Sequence, residues 1–227
     1  MSPSSPPDTS LHQRGNGGLG GSTALPVLRR LMRERKPAER CDLCSAELAP
    51  HPHHEHLLDP VARQVQCSCT PCALLFPVEA EKRYRRVPRR VWHLHDFVMT
   101  DAQWEGMAIP VNMAFLHTSA PSGEVHAFYP SPAGATESLL TLEGWSDLVT
   151  ANPVLAAMQP DVEALLVNRV RGAHDHFLAP IDRCYELVGL IRVSWRGLSG
   201  GQEVWERIDA YFADLHAQAT SRGRDHA

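Results

Sequence analysis

Apolar side chains follow two rhythms along this chain. In "DRCYELVGLIRVSW", Cys184, Leu187, Val188, Ile191 and Trp195 recur at helical spacing, behind Asp182 as a candidate N-cap and ahead of Gly197 as a stop. Further on, Val204, Trp205, Ile208, Tyr211, Phe212 and Leu215 make a wide apolar stripe, with Ser199 and Gln202 spaced as a capping box. Shorter helices are predicted over 25–36, at "TDAQWEGM" behind Thr100 or Asp101, over 143–150, and over 153–158 with Asn152 as N-cap and Pro153 leading. The second rhythm has period two. "RVWHLHDFVM" sets Val91, His93, His95 and Phe97 against Trp92, Leu94, Asp96 and Val98, as a strand does. "IPVNMAFLHTS" and "EVHAFYPS" flank "APSG", a hairpin signal, and "DVEALLVNRV" and "HFLAPI" read as two more strands. Strands and helices mix without a regular βα repeat, which predicts an α+β fold with an antiparallel sheet covered by helices.

The pattern also divides the chain. Residues 1–37 hold a Ser/Pro/Gly-rich stretch with nothing to bury and then the short amphipathic helix, so they read as a disordered tail leading into a helix. Residues 38–80 are a cysteine-rich module, 81–218 the α+β domain, and 219–227 a second tail. The segment "YPSPAGATES", 129–138, lies between a strand and a helix, and its prolines suggest a stiff loop suited to a ligand or docking edge.

The module carries the candidate chemistry. "CDLC" and "CTPC" place Cys41, Cys44, Cys69 and Cys72 in two Cys-x-x-Cys turns, the arrangement that brings two thiolates at a time onto one tetrahedral metal. The 24 residues between Cys44 and Cys69 accommodate a hairpin, "HEHLLD", the turn "PVAR", then "QVQCSC", which is the layout of a zinc ribbon. Cys67 is a fifth candidate ligand. Two residues from Cys69, it shares a strand face with it, and either can be the third ligand. Ser45 and Ala73 stand where many ribbons have glycine. Zinc is the expected ion, with iron or an iron-sulfur cluster as the alternative. His51, His53, His54 and His56 are further ligand types, read here as an exposed approach loop and one face of a polar strand because four thiolates already saturate a tetrahedral site.

Composition narrows the setting. A net charge of -4 and 43% apolar residues describe an ordinary globular chain. No apolar run approaches the ~20 residues of a membrane span and no signal-peptide core is present, so a cytoplasmic home is expected, where clustered thiols bind metal or do redox chemistry. "KRYRRVPRR", 82–90, gathers six positive charges and raises a nucleic-acid-binding regulator as an alternative, but the acidic balance makes a solvated connector the simpler reading. Cys184, with "HDH" at 174–176 upstream, has the placement of a nucleophile near a helix start, though a lone cysteine on an apolar face is ordinarily packing. His93 and His95 in "HLHD" point one way on a strand and are weighed as ligands against a half-exposed face. No triad or carboxylate pair assembles, which leans against an enzyme.

Together "CDLC", "EHLLD", "CSCTPCALLF", "RYRRVP", "YPSPAGATES", "PDVEALLVNR", "PIDRCYELVGLIR" and "WRGLSGG" resemble an uncharacterised actinobacterial domain-of-unknown-function family over roughly 40–215. The resemblance implies genes lying beside those of high-affinity nickel-iron hydrogenases, and hence a protein partner among a hydrogenase or its maturation machinery. It carries no biochemical role, and only the cysteines take one over, as metal ligands. The reading that follows is a non-catalytic, zinc-binding hydrogenase accessory protein, with a rubredoxin-like or iron-sulfur redox carrier as the alternative.

Overall fold

A computed structural model describes residues 38–51, 53–76, 83–138, 142–197 and 199–222. The helix predicted over 25–36 lies outside them. Glu39–Ala227 form one compact unit. The fold is α+β, with two sheets and five α-helices among the described residues.

The smaller sheet has the order β2-β1-β3. β1 (Glu55–Asp59) and β2 (Gln64–Ser68) form the expected antiparallel hairpin, with His56 opposite Cys67. Asp59 closes its turn by accepting from the amides of Val61 and Ala62 at 3.1 and 2.9 Å. α1 (Thr70–Ala73) follows at once. β3 (Arg85–Arg86) is drawn from the arginine segment read above as a solvated connector; it pairs antiparallel with β1.

The larger sheet has the order β10-β4-β9-β8-β5-β6-β7. β5 (Met113–Thr118) and β6 (Val125–Ser131) are the predicted hairpin, and β8 (Glu163–Asn168) and β9 (Asp175–Pro180) pair as neighbours. Period-two alternation sends successive residues to opposite faces. Phe115, Ala164, Leu166, Phe177 and Ala179 face one core with Leu187, Ile191, Ile208 and Phe212 of α4 (Ile181–Ser194) and α5 (Gly201–Gln218). Ala114, Leu116, Leu165, Val167 and Leu178 face a second core with Trp104 of α2 (Asp101–Gly106), Leu148 of α3 (Leu142–Ala151) and the 3₁₀ turn Pro153–Ala157. The central strands therefore read as continuous apolar runs because both faces are covered.

Several local expectations change. β4 (Trp92–Leu94) is three residues long, not ten, since the chain turns away after Leu94. "YPSPAGATES" is a hairpin rather than a loop: Pro132 and Ala133 turn β6 into β7 (Gly134–Ser138), with Gly134 at φ 126°. Of the two expected starts of α2, Thr100 is its N-cap, and it forms a full capping box with Gln103. Asn152 holds the expected N-cap position of the 3₁₀ turn with Pro153 leading, but its side chain makes no cap bond; it bonds Val98 N, Val98 O and Leu148 O at 2.7–3.0 Å, pinning the β4–α2 connection to α3. α4 starts at Ile181 with Pro180 rather than Asp182 at its N-cap, and α5 starts at Gly201 with Gly200, at φ 86°, rather than Ser199 at its N-cap. Gly200 lies so close to Val204 and Trp195 that a Cβ would meet them at 2.8 and 3.1 Å, which is why glycine holds that place. Finally, Thr220–Arg222 are not a tail but β10, pairing parallel to β4 and closing the sheet edge.

The arginine segment joins the two sheets. Arg85 reaches Asp161 at 2.6 Å with both side chains nearly out of solvent, and Arg90 grips Glu163, itself fully buried, through two bonds of 2.6 and 2.9 Å. Arg90 also lies 4.4 Å over the Trp92 ring. Arg86 reaches Glu55 at 3.2 Å.

Candidate metal centre

Two turns and one hairpin end build the centre. In "CDLC" the amide of Ser45 donates to Cys41 O at 2.8 Å and that of Cys41 to Ala46 O at 2.8 Å, while Ser45 takes φ 61° where a glycine was expected. In "CTPC" Cys69 is the N-cap of α1, and Pro71 starts the turn that returns Cys72 toward it. Asp42 locks the halves together: its amide donates to Cys67 O at 2.9 Å, and its carboxylate accepts from the Cys67 amide at 2.8 Å.

The sulfurs of Cys41, Cys44, Cys69 and Cys72 consequently all lie within 4.8 Å of one another, with Cys44 and Cys69 at 3.6 Å. One ion held by four thiolates at ~2.3 Å sets sulfurs about 3.8 Å apart. The donor set fits a single tetrahedral ion. Charge supports the same chemistry. Burial raises the Cys41 thiol, but the amides of Cys69, Cys44 and Leu43 overcome it and lower the thiol to about 6. The neighbouring Cys69 and Cys44 thiols then push Cys72 up to about 12, and Cys44 is raised by Cys41 despite the Ala46 amide, which lowers it. One thiolate forms readily and its neighbours resist a second negative charge at this range, a conflict that a dication removes.

Cys67, the fifth candidate, is not brought into this group. Its sulfur lies within 4.8 Å of ring nitrogens of His54 and His56 instead, and burial followed by the charges of Asp42 and Glu39 raises its thiol. Nor are those histidines an exposed polar face: His54 and His56 are 5% and 9% exposed. β1 is buried along its whole length between β2 and β3, with α1 against it and Asp182 of α4 bonded to His56, and only the tertiary structure supplies that cover.

Other candidates separate. Cys184 is fully buried in the larger core and its thiol is pushed up by that burial, which makes it packing and no nucleophile. His93 joins Asp175 and His216 in a third group, a combination sequence reasoning missed because β4, β9 and the end of α5 meet only in space. There Asp175 accepts from His216 at 3.2 Å and from Asn168 at 3.0 Å, and His93 packs its ring on His216 and Phe177. Pro130, Ser131 and Pro132 edge a cleft of about 520 Å³ beside Trp195 and Trp205. Among the described residues no helix is long and apolar enough to cross a membrane.

Among known proteins, the model of "Family of unknown function (DUF5947)" matches residues 40–219. None of the curated proteins matches, and none of the solved structures does.

Proposed function

The chain belongs to the DUF5947 family of unknown function, and from that premise we propose that it is a non-catalytic accessory protein whose Cys41, Cys44, Cys69 and Cys72 hold one zinc ion. The ion is the scaffold of a zinc-ribbon-like module. The observation that carries this reading is the mutual approach of four sulfurs from two tied turns. The thiolates of a multi-iron cluster sit on separate irons and stand further apart, so the spacing favours a single ion over an iron-sulfur cluster.

The function we assign to the module is to present a rigid docking surface to a protein partner in the cytoplasm, where thiols stay reduced. The partner proposed is a nickel-iron hydrogenase or its maturation machinery, and that step is supported by the sequence resemblance alone. The arginine segment speaks against a nucleic-acid regulator, because Arg85, Arg86 and Arg90 are engaged with Asp161, Glu55 and Glu163. A rubredoxin-like iron site uses the same four donors and is the second reading.

Anaerobic purification followed by elemental analysis and a visible spectrum tests the ion. One zinc per chain and no colour is expected; one iron with thiolate charge-transfer bands would replace the scaffold reading with the redox one. For the partner, deletion of the gene is expected to lower hydrogenase activity or subunit processing. Both remaining intact would remove the hydrogenase role.

A further inference from the structure

Next to the four-cysteine centre stands a second constellation with a different donor set. His54 immediately precedes β1 and His56 lies within it, and Cys67 is the cross-strand partner of His56. His54 Nδ1 lies 2.9 Å from the carbonyl oxygen of Ala49, and His56 Nδ1 lies 2.6 Å from a carboxylate oxygen of Asp182. Both partners are acceptors only, so each ring must carry its hydrogen on Nδ1. In a neutral ring that leaves Nε2 as a bare lone pair. Yet the two Nε2 atoms face each other at 3.0 Å in a buried place. Two lone pairs at that distance repel, so something positive belongs between them: a shared proton or a metal ion.

Three features favour the metal. The Cys67 sulfur lies within 4.8 Å of a ring nitrogen of each histidine and adds a third donor. Second, each imidazole already has the outer partner that metal-binding histidines use, Nδ1–H bonded to a carboxylate in one case and to a backbone carbonyl in the other. The third is access: a cleft of about 390 Å³ opens onto His54, His56 and Asp182, with His51 and His53 at its mouth, and the His51 ring stacks 5.6 Å from that of His56.

We propose that His54, His56 and Cys67 form a second metal site, taking one late first-row divalent ion through two imidazole nitrogens and a thiolate, with Asp182 as the residue that orients His56. The site does not depend on the zinc reading of the four cysteines. Because Asp182 belongs to α4 and the donors to the hairpin, an ion there ties the small sheet to the large one.

The full chain, carrying one zinc and kept reduced, is titrated with Co²⁺, with elemental analysis confirming that the zinc stays. One further equivalent is expected, with a thiolate-to-cobalt band and visible d–d bands. His54→Ala and His56→Ala should each weaken uptake at least 100-fold, and Asp182→Asn roughly 10- to 100-fold, the effect of losing an outer partner. Cys67→Ser, which leaves both imidazoles in place, should weaken uptake at least as much as Asp182→Asn and, at saturating cobalt, lose the charge-transfer band. It keeps the proposal testable if the histidine variants fail to fold. No second equivalent in the wild-type chain would mean that a shared proton fills the gap and would overturn the site. So would equal uptake by the histidine variants, or an unchanged band in Cys67→Ser. The zinc count reports on the four-cysteine reading separately.

Discussion

β1 and β8 are both strands without an exposed residue, yet they are buried by opposite means. The middle of β8, Ala164, Leu165, Leu166 and Val167, runs between two apolar cores and needs only packing, and its polar residues are confined to the ends, where Glu163 is held by Arg90 and Asn168 by Asp175. β1 runs Glu55, His56, Leu57, Leu58 and Asp59, so three of its five buried residues are polar and each has a charged or hydrogen-bonding partner. A buried polar group without its partner is costly, whereas a buried leucine needs only neighbours. The small sheet is accordingly dependent on specific partners, and the large sheet mainly on volume.

This contrast can be broken at several points. The largest effect is expected from Cys44→Ser. Structural zinc carries ~10–16 kcal/mol, as much as the whole margin of a domain, so the variant should lose its metal and its amide protection over 55–59 while the large sheet persists. Loss of protection throughout would show that the two sheets are one cooperative unit. Leu165→Ala should do the reverse, lowering global stability by about 3–5 kcal/mol in denaturant melts with metal content unchanged. Arg90→Ala tests the seam. It leaves Glu163 buried and unpaired, and a loss of about 3 kcal/mol is expected, less than a fully buried pair because the guanidinium is partly exposed; Glu163→Gln in the same background should recover part of it.

Acidification probes the large sheet by another route. Burial lowers His176 from 6.5 to about 4, so the folded state holds fewer protons than the unfolded one between those values. Its contribution is complete above pH 6.5 and lost as pH falls toward 4, a change of up to roughly 3 kcal/mol. His176→Phe should flatten that part of the stability profile relative to wild type, and an unchanged slope would show that other groups set it. The smallest effect is expected from Cys184→Ser, about 1–2 kcal/mol for a hydroxyl in an apolar core, with full metal content. Metal loss equal to that of Cys44→Ser would break the division between the two classes of cysteine.

Much of this was readable along the chain because it is local. Cys-x-x-Cys spacing, the "PVAR" turn, the Thr100 capping box, the β5–β6 hairpin and the apolar stripe of α5 each depend on residues close in sequence, and each is in place. The caps at Asp182 and Ser199 are displaced to Pro180 and Gly200, and Asn152 keeps its position without a cap bond; a side chain able to cap a helix is equally able to bond something distant, as Asn152 and Asp182 do.

What only the tertiary structure decided is which polar residues are buried and with whom. "HPHHEH" reads as solvated in isolation, and Cys67 as interchangeable with Cys69, because strand period alone places both on one face. Bonds to Ala49 O and to Asp182 of α4 hold His54 and His56 in buried places, and the Asp42–Cys67 bonds leave Cys69 with the four-sulfur group and Cys67 with the histidines. Spacing determines which donors can share a turn; desolvation and long-range partners determine which of them must.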